Sequence, residues 1–391
     1  MKGRVLMVAF HYPPSGAVAA QRPHKFARYL PEHGWEPVVV ARRPDPRQPE
    51  DPSFSGAPSA RVRLSPLEPS RLLGLLPPPV GGALRRGAFV PDEEAGWLAS
   101  LAASLPSLLR RFRPDVIWAN SVPLGTLVSA AWVARRARLP LVADFHNEWT
   151  RNVYYRPATR LHDALHRRLE AWVVRTARAV TTLNPLHTDD LLGRFPGARV
   201  ETIENGFDPA DYDVQPPTSG LVFTYAGAIY GHQGPGPFLR ALAGTGRRDV
   251  EVRVVGDRFG GFRAGDWPFP VTAQGHLPHR ELGRVFSGTA AFFLCLEPPA
   301  ARQLPAKLYE YLRAGRPTFA IVPRGGAVEQ WLARTGAGVA VASEDPAGWT
   351  PALERFIDSL PSYRAPDAGA FHRRALAARL ATVLDRASVR S

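Results

Sequence analysis

Cysteine and lysine are scarce in this chain of 391 residues. Cys295 is the only cysteine, which excludes an internal disulfide. It lies in the apolar run 290–296, where a buried and unreactive thiol is expected rather than a nucleophile. The lysines are Lys2, Lys25 and Lys307, so arginine carries almost all of the positive charge, which is +14 net. Arginine and alanine enrichment together are typical of a high-GC coding bias, so the charge alone identifies no partner.

Long hydrophobic runs are also missing. No stretch approaches the roughly 20 apolar residues that a membrane helix needs. The apolar run 1–10 is short, is interrupted by Arg4 and is followed by Pro13 and Pro14, so a first strand is expected rather than a signal peptide. We therefore expect a cytoplasmic protein. Electrostatic attraction of the protein to the anionic inner face of the membrane is a further alternative.

Signals for nucleic-acid binding are absent as well. The sequence contains no zinc-ligand spacing, no aromatic RNA-binding strand and no long basic run, so nucleic acid is not expected as a partner. What is present is the composition of a folded protein, with 45% hydrophobic and 21% charged residues. The length exceeds what one core comfortably fills, which predicts two or three domains.

Apolar, β-branched runs alternate with segments of helical period, which indicates an α/β fold. Strands are predicted at 4–10, 36–41, 115–120, 139–145, 179–183, 221–226, 250–255, 290–296 and 318–322. Helices are predicted near 23–34, 91–111, 161–177 and 369–388, with another ending at residue 138. The stretch 42–91, which is rich in Pro, Gly and Arg, is expected to be a long connection with short elements rather than a separate domain.

A composition break at 205–220 combines Asn-Gly, three prolines and several acidic residues. It predicts a domain over 1–205, a second domain over 218–366 and a final helical segment over 367–391. Because the α/β alternation restarts after the break, we expect two Rossmann-like domains that face each other across a cleft.

Ligands of open parallel sheets bind beyond the carboxyl ends of the strands. Polar residues and glycines are frequent at these strand ends, and their positions predict where a ligand-binding site lies. The segments are 11–16, 120–121 and 146–149 in the first half, and 227–234, 256–257 and 297–310 in the second.

The most specific motif is the segment 305–317, PAKLYEYLRAGRP, which follows a strand and opens a helix. Lys307 falls in the first turn, where a helix N-terminus and an amine together attract an anion. Glu310, one turn further on, can accept two hydrogen bonds from vicinal hydroxyls such as those of a ribose. A surface Lys–Glu pair at i,i+3 is the alternative.

This motif resembles the donor-binding helix of family 4 glycosyltransferases, which are retaining enzymes with the two-domain GT-B fold. Further segments similar to the family occur at 11–16, 204–208 and 225–227, and segments similar to its exopolysaccharide and cell-envelope branch occur at 91–97, 115–117 and 142–150. The resemblance covers most of the chain. It implies that the final helix returns to the N-terminal domain, that the first domain binds the acceptor and that the second binds a nucleotide-sugar donor.

Three positions depart from the family pattern. The family carries an E-x7-E pair, and Glu310 matches its second member, whereas the first falls on Gln303 and Glu297 is only a loose substitute. Where the branch has Arg-Asp-x-Trp, this chain has the segment 146–149, His-Asn-Glu-Trp. Relatives place an Arg and a Lys in the loop that here contains His232.

The resemblance, together with the positions of polar residues at the strand ends, predicts a set of site residues. Donor-binding residues are expected at Gly16, Gly227, His232, Arg258, Lys307, Leu308 and Glu310, catalytic residues at His146, Lys307 and Glu310, and acceptor-binding residues at His11, Asn120 and Asn147. For His146 and for His232, a structural histidine satisfied by the backbone is an equally open alternative.

The implied reaction moves a hexose from a nucleoside diphosphate sugar to a hydroxyl of a glycan or lipid-linked acceptor, with retention of the anomeric configuration. No cofactor beyond this co-substrate is expected. No metal is expected either, because the Asp211 and Asp213 pair lies in the proposed linker. A nucleotide-sugar epimerase of the same fold and a non-catalytic sugar-nucleotide-binding partner remain alternatives. An oxidoreductase is disfavoured, since Gly-x-Gly-x-x-Gly does not follow the first strand.

Overall fold

The computed structural model describes residues 2–45, 50–51, 62–66, 89–94, 96–215, 220–227, 229, 231–256, 262, 265, 267–275 and 277–389. The chain forms two compact units. The first unit comprises Met1–Glu204 together with Arg373–Ser391, and the second comprises Asn205–His372. Each unit has its own hydrophobic core.

The first unit is built on a seven-stranded parallel sheet in the order β3-β2-β1-β4-β5-β6-β7. Its strands are β1 (Gly3–Val8), β2 (Trp35–Arg42), β3 (Val62–Leu64), β4 (Val116–Asn120), β5 (Leu141–Phe145), β6 (Ala179–Thr182) and β7 (Val200–Thr202). Its helices are α1 (Val18–Tyr29), α2 (Trp97–Phe112), α3 (Leu124–Ala137), α4 (Arg160–Thr176), α5 (Pro185–Arg194) and α11 (Arg373–Ser388).

Alternate residues of the central strand β1 enter two different cores. Leu6 packs into a cluster with residues of α2, α3 and α4, whereas Met7 packs into a cluster with residues of α1 and α11. A parallel sheet that is buried on both faces requires helices on both sides. The helices of the two clusters cover the two faces of this sheet. In α11, Leu376, Leu380 and Leu384 recur every four residues and are fully buried. The final helix therefore completes the core of the first unit.

The second unit contains a six-stranded parallel sheet in the order β10-β9-β8-β11-β12-β13. Its strands are β8 (Leu221–Ala226), β9 (Val250–Val255), β10 (Val271–Gln274), β11 (Ala291–Cys295), β12 (Thr318–Val322) and β13 (Gly338–Ala342). Its helices are α6 (Gly236–Gly244), α7 (Leu282–Ser287), α8 (Lys307–Arg313), α9 (Ala327–Thr335) and α10 (Trp349–Ser359). Stacked rings are prominent in its core, with Phe292 and Tyr311 at 3.9 Å between centroids.

The predicted α/β class with two Rossmann-like sheets is confirmed, as is the return of the final helix to the first unit. Strands β8, β9 and β12 have the bounds that the sequence predicts. The strands that the sequence does not predict are β3, β7, β10 and β13, the edge strands of the two sheets. None of these four contains a fully buried residue, so none shows the continuous apolar run that identifies a central strand.

The segment after Glu204 belongs to the second unit rather than forming a free linker. The Gln215 amide donates to Ser287 Oγ at 2.8 Å, and the ring of Tyr212 packs edge-on against Phe286. The break between the units therefore lies directly after Glu204, and the return to the first unit lies after His372. The sequence pattern places these boundaries at 205–218 and 366–367, because proline and acidic residues indicate a loop whether or not the loop is packed.

Candidate functional site

A glycine at the end of β8 forms the floor of the clearest candidate site in the second unit. Gly227 has φ +132°, a conformation that side chains rarely adopt. A Cβ atom at this position would lie 2.8 Å from both Cε and Nζ of Lys307. The glycine is therefore needed for its backbone conformation and for the close approach of the amine.

Lys307 brings an amine against this glycine without a counter-charge. Its Nζ donates to the hydroxyl of Tyr225 at 2.6 Å and lies 3.8 Å from the centroid of that ring. Among the described residues, no carboxylate pairs with it. Burial lowers the pKa of Lys307 from its ordinary 10.5 to about 7. A desolvated amine of this kind is stabilised in its charged form by an anion placed beside it.

The helix that carries Lys307 contributes less to an anion site than the sequence indicates. Helix α8 has only seven residues, and its first amides are already engaged. The N–H of Leu308 donates to the Pro305 carbonyl and that of Tyr309 to the Ala306 carbonyl. The Leu308 side chain is fully buried in the core of the unit, so this residue anchors the helix and offers no polar side-chain group. The Lys307 amine is the main positive group here.

Glu310, the expected ribose ligand, has a partner that the sequence pattern does not reveal. Its carboxylate accepts a hydrogen bond from the hydroxyl of Tyr212, whose buried ring lies 3.8 Å below the guanidinium of Arg313. Burial and the nearby Glu310 raise the pKa of Tyr212 well above its ordinary value. The carboxylate is therefore held in place by the segment that precedes β8, and its role toward a ribose stays a prediction.

The loop after Gly227 is joined to the segment after β11. His232 Nδ1 and Glu297 Oε2 are 2.8 Å apart, and the Glu297 amide donates to the His232 carbonyl at 3.0 Å. Gln233 forms a bridge with Leu296, and its side-chain amide reaches Gln303 at 3.5 Å. His232 thus contacts a carboxylate rather than only the backbone. Gln303, at the position of the family's first Glu, and Glu297, its loose substitute, both lie on this junction.

One predicted donor residue cannot be placed. Arg258 lies outside the described residues. Gly256, directly after β9, has φ +151° and donates its amide to the Gln274 carbonyl, so the strand end itself is ordered by β10.

In the first unit, the ends of β4 and β5 bring together several of the predicted residues. Asn120 is the last residue of β4, and His146 follows the neighbouring β5. Ser121 links the two strands, because its amide donates to the Asp144 carbonyl at 2.9 Å and its Oγ accepts from the His146 amide at 2.8 Å. This sheet edge is therefore ordered before any ligand binds.

Two buried polar atoms at this edge lack partners among the described residues. They are Nδ2 of Asn120, a residue with 1% exposure, and Nδ1 of His146. Burial lowers the pKa of His146 to about 4, with a smaller contribution from Arg22, so the imidazole is neutral near pH 7. Neutral side chains with free hydrogen-bonding capacity suit the hydroxyl groups of a sugar or an acceptor.

A buried ion pair beneath this edge fixes the end of β5, and the sequence pattern does not reveal it. Arg22 of α1 binds both carboxylate oxygens of Asp144 at 2.8 Å, and Thr181 donates to the same carboxylate. The guanidinium also donates to the carbonyls of Ile203 and Glu204 at 2.8 and 2.9 Å. Asp144 is therefore a structural residue that positions the neighbouring His146.

The remaining first-unit predictions fall at less enclosed positions. His11, beyond β1, is partly buried, and its pKa is lowered to about 4 by burial and by Arg42. Gly16 lies two residues before α1 and is also partly buried, whereas Asn147 is exposed. Their binding roles stay predictions.

Within the described ranges, no group of three or more His, Cys, Asp or Glu side chains is arranged to hold a metal ion. In the same part of the chain, no helix is both long and apolar enough to cross a membrane.

A family model matches a segment that includes most of the first unit. Residues 19–211 match the model of Glycosyltransferase Family 4. This match covers almost all of the unit's continuous stretch up to Glu204. No curated protein sequence matches the chain.

Solved structures match nearly the whole chain. A sucrose-phosphate synthase from Thermosynechococcus elongatus has 16% identity and a TM-score of 0.65 over 98% of both chains. Anabaena HepE in complex with UDP-glucose has 15% identity and a TM-score of 0.54, covering 97% of this chain and 95% of that chain. The UDP-GlcNAc 2-epimerase from Methanocaldococcus jannaschii has 8% identity and a TM-score of 0.58 over 97% and 99%. At these identities the likeness shows a shared fold.

Proposed function

We propose that this chain is a retaining hexosyltransferase that moves a sugar from a nucleoside diphosphate to a hydroxyl of a glycan or lipid-linked acceptor. The observation that carries the proposal is the partly buried Lys307 amine, which lies against Gly227 without a carboxylate partner among the described residues. A diphosphate at the end of β8 supplies the missing counter-charge. The Family 4 match over 19–211 supports the assignment from the other unit.

In this proposal the second unit holds the donor. The diphosphate lies over Gly227 beside Lys307, and Glu310, oriented by Tyr212, accepts hydrogen bonds from the ribose hydroxyls. During transfer the bond from the anomeric carbon to the diphosphate breaks and a bond to the acceptor oxygen forms. The acceptor proton passes to the departing diphosphate, whose growing charge Lys307 stabilises.

The first unit supplies the acceptor-side groups. His146, neutral at pH 7, and Asn120 present unpaired buried polar atoms at the ends of β5 and β4. His11 and Asn147, at the same end of the sheet, extend this set. The proposal needs no metal and no further cofactor, because positive charge on the protein performs the role that a cation has in other transferases.

We further propose that the enzyme acts in the cytoplasm, at the inner face of the membrane, in the synthesis of an exopolysaccharide or cell-envelope glycan. The +14 net charge supports an attraction to anionic lipid. The sequence phrases that resemble the exopolysaccharide branch support the pathway class.

A donor panel tests the proposal. The purified chain is incubated with UDP-, GDP-, ADP- and dTDP-sugars, and thermal shift and nucleotide release are measured. At least one donor is expected to raise the melting temperature. Lys307→Gln should weaken that donor about 10- to 100-fold, because a charged hydrogen bond contributes roughly 1.5–3 kcal/mol. Lys2→Gln, an exposed lysine paired with Asp385, is the matched control and should bind normally. No stabilisation by any donor would refute the proposal.

Glu310→Gln tests the ribose role separately. It keeps the size of the side chain and removes the charge, so the ribose hydroxyls lose a strong acceptor and donor affinity should fall about tenfold. Glu354→Gln, an exposed position on α10, is the control. Unchanged affinity in Glu310→Gln would show that this carboxylate serves only Tyr212.

An epimerase is the second candidate, since the similar structure from Methanocaldococcus jannaschii is one. An epimerase converts one sugar nucleotide into another without an acceptor, whereas a transferase releases free nucleotide. A non-catalytic binder shows a thermal shift with neither product. Chromatography of the same reactions distinguishes the three.

A further inference from the structure

The segment 151–168, which follows β5, is rich in positive charge. It contains five arginines and a single acidic residue, Asp163. Asp163 is occupied by Arg167 at 2.9 Å. Arg156, Arg160 and Arg168 are exposed, and none of them pairs with a carboxylate in the described part of the chain. Arg156 donates only to two neighbouring backbone carbonyls.

Large apolar side chains are exposed in the same segment. Tyr154 is 43% exposed and Leu161 is 65% exposed. On α4, Leu161 and Arg168 are seven residues apart, so they share one face of the helix, whereas the buried Glu170 and Val173 lie on the opposite face. A row of arginines with exposed apolar groups between them is typical of a surface that enters a lipid interface.

The exposure of these apolar groups does not come from a loosely held loop. Trp149 donates to His166 at 2.9 Å, and Thr150 donates to Glu170 at 2.6 Å. These bonds tie the start of the segment to the buried side of α4. The outward side chains are therefore presented on a fixed frame, which lowers the entropy lost on binding.

Arg160 occupies a position that folding alone does not favour. It is the first residue of α4, where the positive end of the helix dipole repels a cation. An anion outside the protein removes this repulsion. A phosphate-bearing surface facing Arg160 would do so, and the neighbouring exposed Arg156 points to the same partner.

We propose that the arginine surface, defined as Tyr154, Arg156, Arg160, Leu161 and Arg168, docks on a bilayer containing anionic lipid. Arginines contact headgroup phosphates, and the two apolar side chains enter the interface below them. The exposed leucine favours lipid over nucleic acid, since it gains nothing from a phosphate backbone. The proposal rests on the proposed function for its purpose, because the surface continues from the β5 end and would bring a lipid-linked acceptor to that end of the first unit.

Vesicle co-sedimentation of the full chain tests the proposal. Vesicles of phosphatidylcholine alone are compared with vesicles that also contain phosphatidylglycerol, and binding is expected only to the latter. The combined Arg156→Gln, Arg160→Gln and Arg168→Gln variant should lower the partition coefficient on the order of a hundredfold, at about fivefold per arginine. Leu161→Ala should lower it a further few-fold.

A second triple variant controls for net charge. Arg135→Gln, Arg248→Gln and Arg355→Gln remove the same charge from exposed positions outside the arginine surface. This control should retain most of the binding. Equal losses in the two triple variants would overturn the proposed location, and equal binding to both kinds of vesicle, or to neither, would overturn the proposal. Tighter binding to an RNA oligomer at the same salt, with the same loss in the first variant, would assign the surface to nucleic acid instead.

The donor assays separate this proposal from the proposed function. The five residues belong to the first unit and the proposed donor site to the second, so thermal shift with the donor should be unchanged in the first triple variant. Vesicle binding without any donor effect in the unmodified chain would refute the transferase and leave the lipid surface standing. Donor binding without vesicle binding would refute the lipid-binding surface and leave the proposed function standing.

Discussion

At the scale of single residues, Gly227 and Lys307 act together, because the absence of one side chain makes room for the other. The atoms that a Cβ would meet are the flexible end of the lysine, so they can move away at low cost. A substitution here is therefore expected to displace the amine more than to disrupt the fold. The effect of such a substitution on donor binding can therefore be distinguished from its effect on the stability of the fold.

Gly227→Ala should weaken donor binding as much as Lys307→Gln does. The matched control is Gly220→Ala, since Gly220 has a similar φ of +123° and nothing within 4 Å of its Cβ position. Both variants should lose about 1–3 kcal/mol of unfolding free energy from backbone strain. Only Gly227→Ala should lose donor affinity, as measured by calorimetry. Equal affinities in the two variants would show that the amine does not bind the donor.

The pH dependence of donor binding provides a second prediction. The pKa of Lys307 is about 7, so the amine is charged below pH 7 and progressively neutral above it. A bound diphosphate raises this pKa, and binding must then take up a proton. Affinity should therefore be constant below pH 7 and fall up to tenfold per pH unit above it, to about pH 8.5. Titrations in buffers of different ionisation enthalpy measure the uptake.

Lys307→Gln should remove this dependence, leaving weak binding with a flat profile over the same range. A sugar nucleotide is the suitable probe, because its diphosphate diester does not titrate there. A wild-type profile that is already flat would contradict the role of the amine.

Residue-level prediction from the sequence rests on local signals. Lys307 and Glu310 stand one turn apart in a motif, and the structure places the Lys307 amine against Gly227. Tyr212 was not predicted as a partner, because 98 residues separate it from Glu310. The Arg22–Asp144 pair, with 122 residues between its members, was missed for the same reason.

At the scale of elements, the Arg22–Asp144 pair joins α1, β5 and the residues that follow β7. A buried pair offers little net stability when intact, but removing one partner leaves an uncompensated charge. Arg22→Met should therefore lower the free energy of unfolding by about 3–5 kcal/mol, as measured by urea denaturation. Arg4→Met, which breaks the partly exposed pair with Glu36, should cost far less, because solvent screens that pair.

The double variant Arg22→Met with Asp144→Asn tests the cause. It removes both charges, so part of the loss in Arg22→Met should be recovered. A double variant no more stable than the single one would attribute the loss to the guanidinium's bonds with the Ile203 and Glu204 carbonyls.

Elements were predictable in proportion to their burial. The central strands β8 and β12 are mostly apolar and β9 alternates apolar with charged residues, and the bounds of all three match the prediction. Edge strands such as β7 and β10 are short and only partly buried, so their residues show neither a run nor an alternation. Their pairing is decided by the neighbouring strand, which supplies the hydrogen bonds.

At the scale of the whole molecule, the second unit is continuous in sequence and the first is not. Ending the chain after His372 removes α11, whose Leu376, Leu380 and Leu384 are fully buried in the first unit. Each buried leucine contributes about 1.5–3 kcal/mol, and the sum approaches the whole stability of a typical domain. The truncated chain should therefore lose the first unit's thermal transition and keep that of the second.

Calorimetry of the truncated chain, beside residues 205–372 expressed alone, checks this. The isolated second unit should show one cooperative transition and, with a donor, the same upward shift as the full chain. Removing only 389–391 is the control and should change neither transition. Loss of both transitions on removal of α11 would show that the units do not fold independently.

The sequence by itself determined the α/β class, the two parallel sheets, the central strands and the local Lys307–Glu310 motif, because these depend on periodicity and on residues close together in the chain. The tertiary structure alone decided the edge strands, the packing of residues 205–215 on the second unit, the Tyr212 bond to Glu310 and the Arg22–Asp144 pair. Each of these joins groups that are distant in sequence. Their free energy comes from burial and from hydrogen bonds that exist only when the chain is folded.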